Sequence, residues 1–310
     1  MRFLDFLILI LLLFILGIGV VLLWTNIPNL PGQKVQQQEF NLDKKDLDFG
    51  KGIQFYPRMR YKNRTISYTI SDSCDSVKRK DIEKAFSILD QQTILNFKSI
   101  SDGEISVLCS DIAPEPKEEG HFIAGEGGPS EIINTSNYAV ILSGKVSFYR
   151  RTAECVRPNV ALHEILHALG FDHNKNKESI MYPVTECGQI LDGYIIDKIN
   201  ELYSVDSAPD LVIEKIKATK TGRYLGFEIA IGNFGLQNSL NSSLIVYSDE
   251  TEVKTFYLEN IDIGTRKILK VDNLRGPLTT DRLIFEVKSN ENELDKDNNI
   301  ARMKLVNVEG

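Results

Sequence analysis

The residues able to do chemistry in this 310-residue chain are concentrated in one short stretch. It reads His163-Glu164-Ile165-Leu166-His167-Ala168-Leu169-Gly170-Phe171-Asp172-His173 and holds three of the chain's four histidines. On an α-helix, positions i and i+4 share a face, so His163 and His167 can grip one metal ion together. Glu164 stands beside them, placed to take a proton from a metal-bound water. Gly170 lets the chain leave the helix in a left-handed conformation that residues with a side chain resist, and the turn returns His173 as a third ligand. Three neutral imidazoles and one open position are the donor set of a catalytic Zn2+ site, whereas structural zinc sites are closed and usually rich in thiolate.

A tight turn containing a methionine accompanies such a site, and Ser179-Ile180-Met181-Tyr182-Pro183 supplies one shortly after His173. The soft thioether of Met181 suits an irregular floor beneath the metal. Together these residues resemble the metzincin metallopeptidases. The Met-Tyr-Pro ending and the short gap after His173 resemble the matrixin (matrix-metalloprotease-like) branch most closely. The resemblance is strongest over about 160–183 and extends as a pattern over about 61–206. It implies one catalytic zinc ion, peptide-bond hydrolysis, His163, His167 and His173 as ligands, Glu164 as general base and Met181 in the Met-turn. Zinc lowers the pKa of its bound water to near 7 and polarises the scissile carbonyl. Glu164 would accept the water proton and deliver it to the departing amine. Asp172 reads either as an acceptor that orients a ligand or as a solvated turn residue. His121, alone in a Gly-rich loop, cannot rebuild the second, structural zinc site that matrixins often carry. Glu126 and Glu131 are candidate Ca2+ ligands in the same region.

The elements that must position this site follow from periodicity. Thr65–Ile70 alternates as a strand, and Val77 to Phe97 carries Ile82, Phe86 and Leu89 at helical spacing. Glu104–Leu108 and Tyr138–Leu142 read as strands, with 113–131 an irregular loop between them. Pro158 sits near the start of the active helix, where its missing N–H costs nothing. Leu162, Ile165, Leu166 and Leu169 face the core while the histidines face the cleft. A last helix covers about 192–204. The order matches an α+β metzincin-like domain with a twisted mixed sheet and about three helices, over 61–206.

Cys74, Cys109, Cys155 and Cys187 all fall in this region, with no C-x-x-C spacing. Outside the cytoplasm they read as two disulfides, for which three pairings exist. A Cys155–Cys187 bridge would pin the segments flanking the site, closing a loop of about thirty residues worth roughly 3 kcal/mol. Cys74 and Cys109 would then pair with each other.

From Phe6 to Trp24 the chain has no charged residue. That run is long enough to span a bilayer, and no Ala-x-Ala-like site follows it, so 1–25 reads as an uncleaved transmembrane signal anchor. The expected localisation is a single-pass membrane protein with its catalytic domain extracytoplasmic. Residues 26–60 form a polar linker. The net charge of −7 argues against nucleic acid as partner. A composition of 42% hydrophobic and 25% charged residues is that of a globular protein.

After Ala208-Pro209 the helical pattern gives way to short β-rich runs with turn residues between them, an all-β, immunoglobulin-like sandwich over 209–310. Pro-Asp-Leu-Val-Ile, Ile-Gly-Asn-Phe-Gly and the stretch from Glu293 through Asn298-Asn299 resemble CARDB-like modules of prokaryotic surface proteins. The resemblance implies a binding, spacer or adhesion role. Asp295, Asp297 and Asn298 are read as a solvated turn or a calcium site. Two functions are therefore set against each other: a membrane-anchored zinc endopeptidase acting on peptide or protein substrates, and a surface-binding protein acting through the sandwich with a weak or inactive metal domain.

Overall fold

The computed structural model describes residues 53–116, 122–149 and 155–305, together with two short strands before them, β1 (Gln33–Lys34) and β2 (Gln38–Glu39). The apolar run from Phe6 to Trp24 and His121 lie outside the described residues. Among those described, no helix is long and apolar enough to cross a membrane.

The α+β unit is built on a six-stranded sheet. Its strands are β3 (Met59–Tyr61), β4 (Thr65–Ile70), β5 (Asn96–Ser99), β6 (Ile105–Cys109), β7 (Gly125–Asn134) and β8 (Ala139–Phe148). The order is β3-β8-β6-β4-β5, all parallel, with β7 antiparallel to β8 on its other side. Parallel neighbours need a crossover, and helix α1 (Ser76–Gln92) supplies it between β4 and β5. Asp75 caps α1 by accepting the Val77 and Lys78 backbone N–H groups, each at 2.8 Å, and Ile82, Ala85, Phe86 and Leu89 bury its inner face. The periodicity predicts this helix through Phe97, but it stops at Gln92. Thr93 Oγ1 donates to the Leu89 carbonyl at 2.8 Å, and the following residues turn into β5. The expected loop over 113–131 also ends early, because β7 begins at Gly125.

Helix α2 (Asn159–Ala168) carries the metal-ligand motif and is buried along its whole length. Helix α3 (Gly193–Ser204) is capped by Asp192, which accepts from the Ile195 N–H at 3.1 Å. The fully buried Arg60 joins β3 to the end of α3. It donates to the carbonyls of Tyr61, Lys62, Leu202 and Val205 and lies 4.4 Å from the centre of the Tyr203 ring. Cys74 is bonded to Cys109, and Cys155 to Cys187.

The sandwich comprises β9 (Leu211–Thr221), β10 (Tyr224–Asn233), β11 (Ser239–Ser248), β12 (Thr251–Ile261), β13 (Arg266–Arg275), β14 (Arg282–Lys288) and β15 (Ile300–Lys304). One sheet has β9, β10 and β13 with β1 and β2 paired to β9, and the other runs β12-β11-β14-β15. Alternate residues such as Ile216, Phe227, Ile229, Val246 and Phe285 fill the space between the sheets. Thus part of the segment read as linker pairs with the sandwich edge.

Candidate metal centre

Helix α2 sets His163 and His167 one turn apart with their Nε2 atoms 3.0 Å from each other. After Ala168 the chain must turn sharply. Gly170 takes φ +94°, and any Cβ there would stand 2.5 Å from Met59 Cγ, so both conformation and space require glycine. The turn brings His173 Nε2 to 3.2 Å from His163 Nε2 and 3.1 Å from His167 Nε2. Ligands at 2.0–2.1 Å around a tetrahedral ion would stand about 3.3 Å apart, so the donor set fits one zinc ion. Among the described residues these histidines form the one group of three or more His, Cys, Asp or Glu donors that converge in this way.

The rings are fixed from behind. His163 Nδ1 lies 2.6 Å from the Ile180 carbonyl, and His167 Nδ1 2.7 Å from the Phe171 carbonyl. A carbonyl only accepts, so each Nδ1 carries the proton and each Nε2 presents a bare lone pair toward the centre. Such lone pairs repel one another until a cation joins them. Burial, with the His167 charge next, pushes His163 down to about 3, and burial pushes His167 down to about 4. Burial lowers His173 as well. The imidazoles are therefore neutral and ready as ligands at neutral pH. The Phe55 ring stacks on His167 with centroids 5.7 Å apart, held there by the Phe55 N–H donating to the Gly170 carbonyl.

Glu164 is 6% exposed, and burial first, then the charge of Glu126, push its carboxyl up to about 8. The Gly127 backbone on β7 acts in the opposite direction. The contact depends on glycine: a Cβ at Gly127 would stand 2.0 Å from the Glu164 carbonyl oxygen, and one at Gly125 would stand 2.6 Å from Glu164 Cγ.

Met181 is fully buried in a turn closed by the Tyr182 N–H donating to the Ser179 carbonyl at 3.1 Å. Asn159, at the start of α2, donates to the Glu186 carbonyl at 2.7 Å, so helix and turn are joined here as well as by Cys155–Cys187. Asp172 is exposed and accepts the His173 backbone N–H at 2.7 Å, while the acceptors behind His163 and His167 are carbonyls. Glu126 accepts from the Tyr149 hydroxyl at 2.8 Å, and Glu131 is exposed. Asp295 accepts the Asp297 N–H, and Asn298 donates to Asp210, as in a side-chain-stabilised turn. Sequence reading did not single out Gly125, Gly127, Phe55 or Asn159. The closely spaced glycines at 125, 127 and 128 were the one available signal.

Residues 60–204 match the family model for the matrixin peptidases. This part of the chain is a matrixin-like domain. The chain is similar to mouse stromelysin-1, which is 27% identical over 187 residues, 55% of this chain and 39% of that protein. Rat stromelysin-2 is 31% identical over 127 residues, 39% of this chain and 26% of that protein. The chain thus matches well under half the length of these relatives. Among solved structures, the CARDB domain of a Pyrococcus furiosus protein, in complex with di-metal ions, is similar at 22% identity. That match has a TM-score of 0.27 and covers 31% of this chain and 84% of the other.

Proposed function

We propose that the chain is a zinc-dependent endopeptidase, tethered to a membrane through residues 6–24 with its catalytic domain outside the cytoplasm. The observation that carries the reading is the convergence of three histidine Nε2 atoms beside a buried carboxyl. His163, His167 and His173 would hold the ion, which when bound supplies Lewis acidity and activates water. Glu164 takes the proton of the attacking water and returns it to the leaving amine. Gly125 and Gly127, packed against Glu164, keep that side chain in place during both transfers. An extended peptide adds to the outer edge of β7, whose other edge is paired with β8. The matrixin family match and the stromelysin likeness support the peptidase class. The anchor and the extracytoplasmic location are inferred from the uncharged run and the disulfides.

The test is cleavage of an unbiased peptide library by the zinc-loaded chain, expressed under oxidising conditions. Cleavage lost with a chelator and in Glu164→Ala is the expected result. Stoichiometric zinc binding without cleavage would move the sandwich-mediated binding function ahead.

A further inference from the structure

Strand β7 is gripped at both ends by different parts of the molecule. At its start, Gly125 and Gly127 pack directly on Glu164 of α2, so closely that a Cβ at either would stand within 2.6 Å of it. At its end, the turn from β7 into β8 lies against the sandwich. Thr135 Oγ1 donates to the Phe234 carbonyl at 3.0 Å. Asn137 Nδ2 donates to one Asp210 oxygen at 2.7 Å, while Asn298 Nδ2 donates to the other at 2.9 Å. Asp210 is 1% exposed, so losing either donor leaves a buried carboxylate oxygen short of a partner. Beside these bonds, Val140, Leu236 and Ile263 form a buried apolar cluster distinct from both main cores, with Ile133 and Tyr138 packed on it. Gly264, at φ +69°, sits so near that a Cβ would stand 2.5 Å from an Ile133 methyl.

A strand paired along one side only has little else to fix its position. β7 is 10 residues long, so play at the Ile133 end carries through to Gly127, where Glu164 is in direct contact. We propose that the β-sandwich is a positioning element for the catalytic site: it clamps the β7–β8 turn and thereby holds the strand that orients Glu164. Asn137, Thr135 and Ile263 are its positioning residues. The consequence for catalysis rests on the peptidase reading, whereas the clamp itself does not.

The test uses the full chain with two variants. Ile263→Asp places a charge in the interface cluster while sparing the sandwich core, and Asn137→Ala removes one amide donor without touching either core. Hydrogen exchange is followed across 125–134, with zinc stoichiometry and peptide-cleavage kinetics measured alongside. Tyr257→Ser, at a site 87% exposed on β12, is the control. The expected result is exchange across 125–134 faster by at least about tenfold in both variants, with β9–β11 as protected as in the parent. kcat falls at unchanged zinc content, because Glu164 loses its alignment, and the control matches the parent throughout. Parental exchange across 125–134 in both variants, while 135–138 and 262–265 open, would overturn the clamp. Faster exchange with a parental kcat would overturn its link to Glu164. If no form, parent included, cuts peptide, the exchange data still decide the clamp, and the peptidase reading alone is lost.

Discussion

Replacing Gly127 with alanine tests the centre of the argument with one methyl group. The added Cβ would stand 2.0 Å from the Glu164 carbonyl oxygen, 2.8 Å from its carbon and 2.9 Å from Cα. Ordinary contact needs at least about 3.2 Å, so β7 and α2 must separate by roughly 1 Å. All three atoms are backbone of a buried helix and none can swing aside. Overpacking of this kind costs about 1–3 kcal/mol. At about 2–4 °C per kcal/mol, that lowers the Tm by about 2–12 °C. The same separation moves the strand that packs on Glu164, and a misplacement of about 1 Å lowers kcat/KM by about 10²-fold. Gly128→Ala is the internal control. It is the next residue, its φ is not left-handed, and a Cβ there meets nothing within 4 Å. Alanine at 128 is expected to leave activity unchanged and to raise stability by about 0.4–1 kcal/mol. Melting by differential scanning calorimetry and kcat/KM on one peptide substrate read both effects. A Gly127→Ala protein that melts and turns over within twofold of the parent would refute the packing of β7 on α2.

Three further outcomes are expected. Removing the Cys155–Cys187 bridge as a double serine variant, with a sequence separation of 32, lowers stability by about 3–4 kcal/mol in denaturant titration. Arg60→Met leaves the Leu202 and Val205 carbonyls without their buried donor and costs about 2–4 kcal/mol by thermal melting, while zinc stoichiometry stays at one. In the metal-free protein, His163 and His167 refuse protons that the unfolded chain accepts, so stability falls as pH drops from about 6.5 toward 4. Glu164, raised to about 8, acts oppositely: its contribution is complete below about pH 4.5 and is lost as pH rises through 8. Metal-free Glu164→Gln is therefore expected to gain on the parent across that upper window, with the difference gone at pH 4. Equal pH–stability curves for the two proteins would show that Glu164 does not titrate as a buried acid.

The sequence disclosed the metal centre because its geometry is local. His163 and His167 are joined by one helical turn and His173 by one glycine turn, so spacing alone brings their Nε2 atoms together. The sandwich strands were legible for a similar reason, since alternation survives in each. β7 was not. Gly125, Gly127, Gly128 and Pro129 carry no alternating pattern, and the strand exists because β8 supplies its hydrogen bonds. β5 was hidden inside an apparent helix, because Phe97 continues the helical spacing of α1 although Thr93 has already ended it. The carbonyls behind His163 and His167 are backbone groups, which residue types do not reveal.

The pairing of β1 and β2 with β9 has a geometric consequence for where the protein can reach. From Thr25 to Gly32 the chain has about eight residues, which span at most about 30 Å even when fully extended. With the proposed anchor in a bilayer, the sandwich edge is leashed within that distance of the lipid surface, and the cleft rides on the unit beyond it. The protein would then sweep a thin layer above the membrane rather than a wide volume. Proteins resident in that layer meet it at high effective concentration, while freely diffusing ones meet it only in passing.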